Sequence, residues 1–114
     1  MIIEYEIIET GDGSHTLKLA GEKITFHSDR GAIQESQHVF VKTGFDHFIQ
    51  KSVPGEPVAV FEVGLGTGLN ALLTAIAATQ KHKEVLYYSI DRYPLPAEIY
   101  TKLNYPDLLK APVL

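Results

Sequence analysis

Between Val58 and Asn70 the hydrophobic rhythm of the chain changes twice. Val58, Val60, Phe61 and Val63 form a short β-favouring run that also holds Glu62, and Gly64, Gly66 and Gly68 then follow at every second position. Beyond them, Leu69, Leu72, Leu73, Ile76 and Ala77 recur at the spacing of one helical face. The pattern predicts strand, glycine turn, helix. Glycines suit such a turn because the backbone can adopt positive φ there and come close to a ligand. The free N–H groups of the first helical turn then face whatever lies over the loop.

The flanking segments are read the same way. Residues 2–9 alternate Ile and Tyr with Glu and predict a strand; Gly11-Asp12-Gly13-Ser14 predicts a turn. Residues 15–19 and 23–27 predict two more strands about a turn at 20–22, making an antiparallel meander. In 27–44, Ser28 or Asp29 could cap a helix with Ile33, Gln37, Phe40 and Val41 on one face, and Gly44 suits its end. Phe45, Phe48 and Ile49 suggest a further short helix, and the Pro- and Gly-containing stretch 52–57 breaks the pattern. After the central helix, Val85 to Asp91 predicts a second buried strand ending in a carboxylate, then a loop through Pro96 and the start of a helix at Ala97 to Leu103. The expected fold is α/β, with an N-terminal unit over 1–53 and a ligand-binding unit over 54–114.

Composition narrows the picture. A chain of 114 residues is one domain at most, and its 45% apolar and 21% charged residues are ordinary for a globular protein. The net charge of −4 provides no global basic field for nucleic acid. With no cysteine, disulfides, thiolate metal sites and a cysteine nucleophile are excluded. The start lacks a signal-peptide pattern, and no apolar run reaches the roughly 18 residues of a membrane span, so a cytoplasmic setting is expected. His15, His47 and His82 have no metal-ligand spacing, and no metal site is expected.

The glycine spacing is G-x-G-x-G rather than the G-x-G-x-x-G that suits a dinucleotide pyrophosphate. Glu62, two residues before the first glycine, disfavours a pyrophosphate and favours a cationic or amine-bearing ligand; S-adenosylmethionine carries both a sulfonium and an amino group. Asp91, 23 positions after Gly68, ends the next strand. In a βαβ unit it lies beside the corner, where a carboxylate can accept from two ribose hydroxyls.

EVGLGTGLNALL, followed by YYSIDRYPL and preceded by FHSDRGAIQESQHVFVKTG, resembles the methyltransferase domain of the MnmC/MnmD-like family, bacterial enzymes that finish 5-methylaminomethyl-2-thiouridine at the tRNA wobble position. The resemblance runs from about Thr25 to Leu95. It implies the first βαβ of a Rossmann-like class I methyltransferase sheet, incomplete here, with S-adenosyl-L-methionine as cofactor and tRNA as the partner of the parent enzyme. It also implies that Gly64, Gly66, Thr67 and Gly68 line the cofactor, Glu62 holds its methionine amino end, and Asn70 lies nearby. Asp91 stands where the family more usually has glutamate, and Arg92 and Tyr93 could flank the adenine. Ser28 and Glu35 are candidates for cofactor or substrate contact, as are Ser36 and His38, for which capping and surface hydrogen bonding compete. Some relatives carry a fused flavin oxidase. The catalytic residue is expected beyond Leu114, in a truncated domain whose open sheet would favour self-association. Two other readings stay open: a nicotinamide- or flavin-dependent oxidoreductase fragment, and a non-catalytic binding module.

Overall fold

In the computed structural model, residues 3–110 are described. The expected first strand therefore begins outside them at Ile2, as do residues 111–114. Strands β1 (Tyr5–Glu9) and β2 (His15–Leu19) form an antiparallel hairpin with Ile7 opposite Leu17. The expected third strand does not form. Residues 23–27 make only a single bridge, Lys18 to Thr25, and Ile24 is exposed. The Thr25 hydroxyl donates to the His27 carbonyl at 2.6 Å, and the His27 N–H goes to the Thr16 side chain rather than to a strand partner. These local bonds divert the backbone from a ladder.

The helix starts later and ends later than its pattern suggests. Helix α1 (Ala32–Ser36) runs into a π-helical segment (Gln37–Asp46) and then into α2 (His47–Lys51). Ser28 and Asp29 lie before it, and Gly31 occupies the cap position. Gly44 does not stop it. Burial of Val41 and Phe45 along one stripe outweighs the roughly 1 kcal/mol that a glycine costs a helix. The wide turns fit the Thr43 hydroxyl, which donates to the carbonyl of His38, five residues back, at 2.8 Å. The helix ends where Ser52 turns extended and its hydroxyl bonds the Ile49 carbonyl.

Strand β3 (Val58–Val63), helix α3 (Leu69–Gln80) and strand β4 (Val85–Ile90) form a parallel βαβ unit in which Val60 pairs with Tyr87 and Val63 with Ile90. The α3 face predicted from spacing is buried through Leu69, Leu73 and Ala77. It packs against the π-helical segment and β4, so residues of both halves of the chain share one core. Two short helices follow, α4 (Ala97–Tyr100) and α5 (Tyr105–Leu109). Asn104 and Tyr105 tie this end to the hairpin: Asn104 accepts from the His15 N–H and donates to the Gly13 carbonyl, both at 2.9 Å, and the Tyr105 hydroxyl donates to the His15 carbonyl at 2.6 Å. Burial pushes the Tyr105 hydroxyl up to about 12. Among the described residues the fold is thus α/β with two two-stranded sheets, and the N-terminal one is a hairpin rather than a meander.

Candidate functional site

The corner between β3 and α3 requires its glycines. Gly64, Gly66 and Gly68 have φ of 83°, 57° and 79°, a region costly for residues with a Cβ. Gly68 occupies the α3 cap position with no side-chain cap, so the first N–H groups of that helix have no capping side chain. At Gly64 and Gly68 an added Cβ would meet nothing within 4 Å, whereas at Gly66 it would come 3.3 Å from the ring of Phe26. Phe26, held edge-on by Tyr5 with centroids 6.0 Å apart, therefore forms a wall of the corner. Phe26 was not among the expected site residues, although the aromatic before His27-Ser28 is part of the motif that carries the resemblance.

Asp91 lies directly beside the loop. Its Oδ2 accepts from the Gly66 N–H at 2.9 Å and its Oδ1 from the Tyr93 N–H at 2.8 Å. Each oxygen keeps a second lone pair for another donor. Glu62 is buried, with both oxygens engaged: Oε2 accepts from the Asn70 side-chain amide at 2.9 Å and Oε1 from the Tyr87 hydroxyl at 2.8 Å. Burial raises the Tyr87 hydroxyl well above its ordinary range, and the Glu62 hydrogen bond and charge add to the rise. The sequence reading does not single out Tyr87; its third position in β4, on the same face as half-buried Val85, is the available signal.

Two buried polar atoms of the corner have no hydrogen bond of ordinary length among the described residues, Asn70 Oδ1 and Thr67 Oγ1, the latter with the Tyr105 hydroxyl near enough to act on it. Such atoms are costly to bury unless something outside the chain satisfies them. The structure thus gathers Glu62, Gly64, Gly66, Thr67, Gly68, Asn70 and Asp91 at one corner. Arg92 stacks on Tyr93, its guanidinium 5.4 Å from the ring centroid, and both are exposed in the loop after Asp91. Ser28 and Glu35 bond each other instead: the Ser28 N–H donates to Glu35 Oε1 at 3.0 Å, and His27 Nδ1 lies 3.4 Å from the same oxygen. Ser36 approaches His27 as well. Among the described residues no group of His, Asp and Glu could hold a metal, and no helix is long and apolar enough to cross a membrane.

No family model matches the chain, and no curated protein does. Among solved structures it is similar to MnmC2 from Aquifex aeolicus, with a TM-score of 0.67 and 26% identity over 97% of this chain. The chain spans 38% of the length of that protein. The resemblance to MnmC-like domains seen in the motifs is therefore also a resemblance of fold.

Proposed function

We propose that the corner between β3 and α3 binds S-adenosyl-L-methionine, and that the chain is the cofactor-binding part of an MnmC-like methyltransferase acting on the aminomethyl group of tRNA wobble 2-thiouridine. The observation that carries this is the Asp91 carboxylate 2.9 Å from the Gly66 N–H, an acceptor pair and a glycine loop within one ligand's reach. On this reading β3, α3 and β4 are the first βαβ of a Rossmann-like sheet, 54–114 is the cofactor unit, and 1–53 provides the wall at Phe26. A cytoplasmic setting follows from a tRNA substrate.

The residues fit the group. Asp91 would accept from the two ribose hydroxyls through its remaining lone pairs. Asn70, turned by its bond to Glu62, would offer the unpartnered Oδ1 to the methionine ammonium, and Glu62 would add a negative potential behind it. Thr67 Oγ1 would gain a full hydrogen-bond partner. The glycines would keep side chains out of the space over the α3 N-terminus. Once bound, the cofactor supplies an electrophilic methyl on sulfonium. The chain's own contribution is to hold that group in a fixed orientation, which is the main catalytic task for in-line attack by an amine.

Isothermal titration calorimetry tests the reading with S-adenosylhomocysteine, S-adenosylmethionine and NAD. Saturable one-to-one binding of the first two, without NAD, is expected. Binding of NAD but not S-adenosylhomocysteine would replace it with the oxidoreductase reading, and silence towards all three would overturn cofactor binding by this chain.

A further inference from the structure

Building on the cofactor reading, we infer that Tyr87 is a positioning residue. Its hydroxyl, spent on Glu62, makes Asn70 present an acceptor to the glycine corner, and the corner thereby selects a ligand that carries an amine. Glu62 and Tyr87 stand on the same face of the parallel sheet but not opposite each other: Glu62 pairs with Ser89, and Tyr87 with Val60. A long side chain spans that diagonal. The Tyr87 hydroxyl reaches Glu62 Oε1 at 2.8 Å, from a strand that holds no other contact to this carboxylate among the described residues.

Chemistry fixes the donor and acceptor roles along the chain Tyr87, Glu62, Asn70. A carboxylate only accepts, so both of its neighbours must donate. Tyr87 gives its O–H to Oε1, and Asn70 gives its side-chain amide N–H to Oε2 at 2.9 Å. Burial, with the hydrogen bond and charge of Glu62 added, raises the Tyr87 hydroxyl far enough that it stays a donor at neutral pH. An amide that turns its nitrogen to Glu62 turns its oxygen away, and Asn70 Oδ1 is buried there without a hydrogen bond among the described residues. A ligand amine is the group that suits this oxygen. Glu62 itself is buried with both oxygens taken, so its charge acts on the amine from behind Asn70. Removing the Tyr87 hydroxyl leaves Oε1 a buried acceptor without its donor, which is costly. The carboxyl is then free to rotate, and the Asn70 amide loses the fixed partner that orients it. An Asn70 turned over would point its N–H groups at an ammonium and reject it.

Calorimetry tests this with two ligands, S-adenosylhomocysteine and its deamino analogue, which keeps adenosine, sulfur and carboxylate and lacks the amine. The proteins are the whole chain, Tyr87→Phe, Asn70→Ala and the double variant, each checked for folding by circular dichroism. The unaltered chain should prefer the amine-bearing ligand at least about tenfold, the scale of one hydrogen bond to a charged group. Tyr87→Phe should cut that preference to about threefold or less, while the analogue binds within about twofold of its original affinity. Asn70→Ala should abolish the preference, and adding Tyr87→Phe to it should change nothing more, as coupled residues do. In the unaltered chain the Tyr87 hydroxyl proton should exchange more slowly with S-adenosylhomocysteine bound than with the analogue, a readout that needs no variant to fold. A Tyr87→Phe variant that weakens both ligands alike, or keeps the preference intact, makes the hydroxyl a packing group and overturns the inference. Equal protection of that proton by the two ligands overturns it as well. A chain that binds both ligands equally overturns it and leaves the adenosine site standing, whereas binding of neither removes the cofactor reading and the inference together.

Discussion

Two helix starts in this molecule have been treated in opposite ways. At α1, the hairpin turn closes the N-terminus with three side chains. The Ala32 N–H donates to Thr10 Oγ1 at 3.0 Å, the Ile33 N–H to Ser14 Oγ at 3.0 Å, and the Gln34 N–H to Asp12 Oδ2 at 2.9 Å. Thr10 and Ser14 in turn bond Asp12. At α3, a left-handed glycine takes the cap position, no side chain caps the helix, and Thr67 Oγ1 beside it is buried without a hydrogen bond of ordinary length. The same orphan donors that one site satisfies internally are left available at the other. Satisfaction marks a structural joint; its absence next to an acceptor such as Asp91 is what the proposed cofactor site rests on.

The largest effect expected is at the closed start. A Cβ on Gly11 would sit 2.2 Å from the Arg30 carbonyl oxygen, a backbone atom that cannot turn aside. Gly11→Ala should destabilise the fold by about 3 kcal/mol in urea unfolding, as severe overpacking does. An unchanged midpoint would mean that the turn does not grip the start of α1. At the open start, Asp91→Ala should weaken S-adenosylhomocysteine binding by at least about tenfold, or roughly 1.4 kcal/mol, while moving the unfolding midpoint far less than Gly11→Ala does. Loss of stability in place of affinity would make Asp91 a joint like Asp12, and the contrast would vanish.

Acid sharpens the comparison further. Burial works to raise the Asp12 carboxyl, but the hydrogen bonds from Ser14, Gln34 and Thr10 together outweigh it and hold it below the usual range. With the folded value below the unfolded one, the ionised group stabilises the fold above the unfolded carboxyl value near pH 4. That contribution fades as pH falls through the folded value. Asp12→Asn should therefore cost about 1 kcal/mol at neutral pH, as loss of a helix cap does, and flatten the acid limb of stability against pH. A limb of unchanged slope would assign acid sensitivity to another group.

How much of this could be read from residues alone depended on sequence distance. The corner was legible because strand, glycines and helix are contiguous, and because Asp91 ends the next strand of the same unit. The hairpin turn at Gly11 to Ser14 was equally plain. What failed were choices decided by tertiary partners: the strand at 23–27, undone by the side chains of Thr16 and Thr25, and the stop at Gly44, overridden by burial of Phe45. Ser28 and Glu35 carried family motif positions, yet they bond each other, an arrangement that spacing does not distinguish from ligand contact. The clamp of Asn104 and Tyr105 on His15 spans most of the chain, and no local pattern announces it.

The smallest effect is the most discriminating, because its sign differs between the two helix starts. Ser14 and Thr67 are both buried hydroxyl residues beside a helix N-terminus. Ser14 Oγ accepts from the Ile33 N–H and bonds Asp12, so Ser14→Ala strands a buried donor and should cost about 1–2 kcal/mol. Thr67 Oγ1 has no hydrogen bond of ordinary length to lose, only the approach of the Tyr105 hydroxyl. Thr67→Val keeps the shape, removes an unsatisfied oxygen, and should leave stability within about 0.5 kcal/mol of the parent or raise it. If a ligand is what that hydroxyl awaits, the same change should weaken S-adenosylhomocysteine binding severalfold. A valine that costs as much as Ser14→Ala in unfolding, with titration unchanged, would show the hydroxyl to be satisfied within the fold and the two helix starts to be alike.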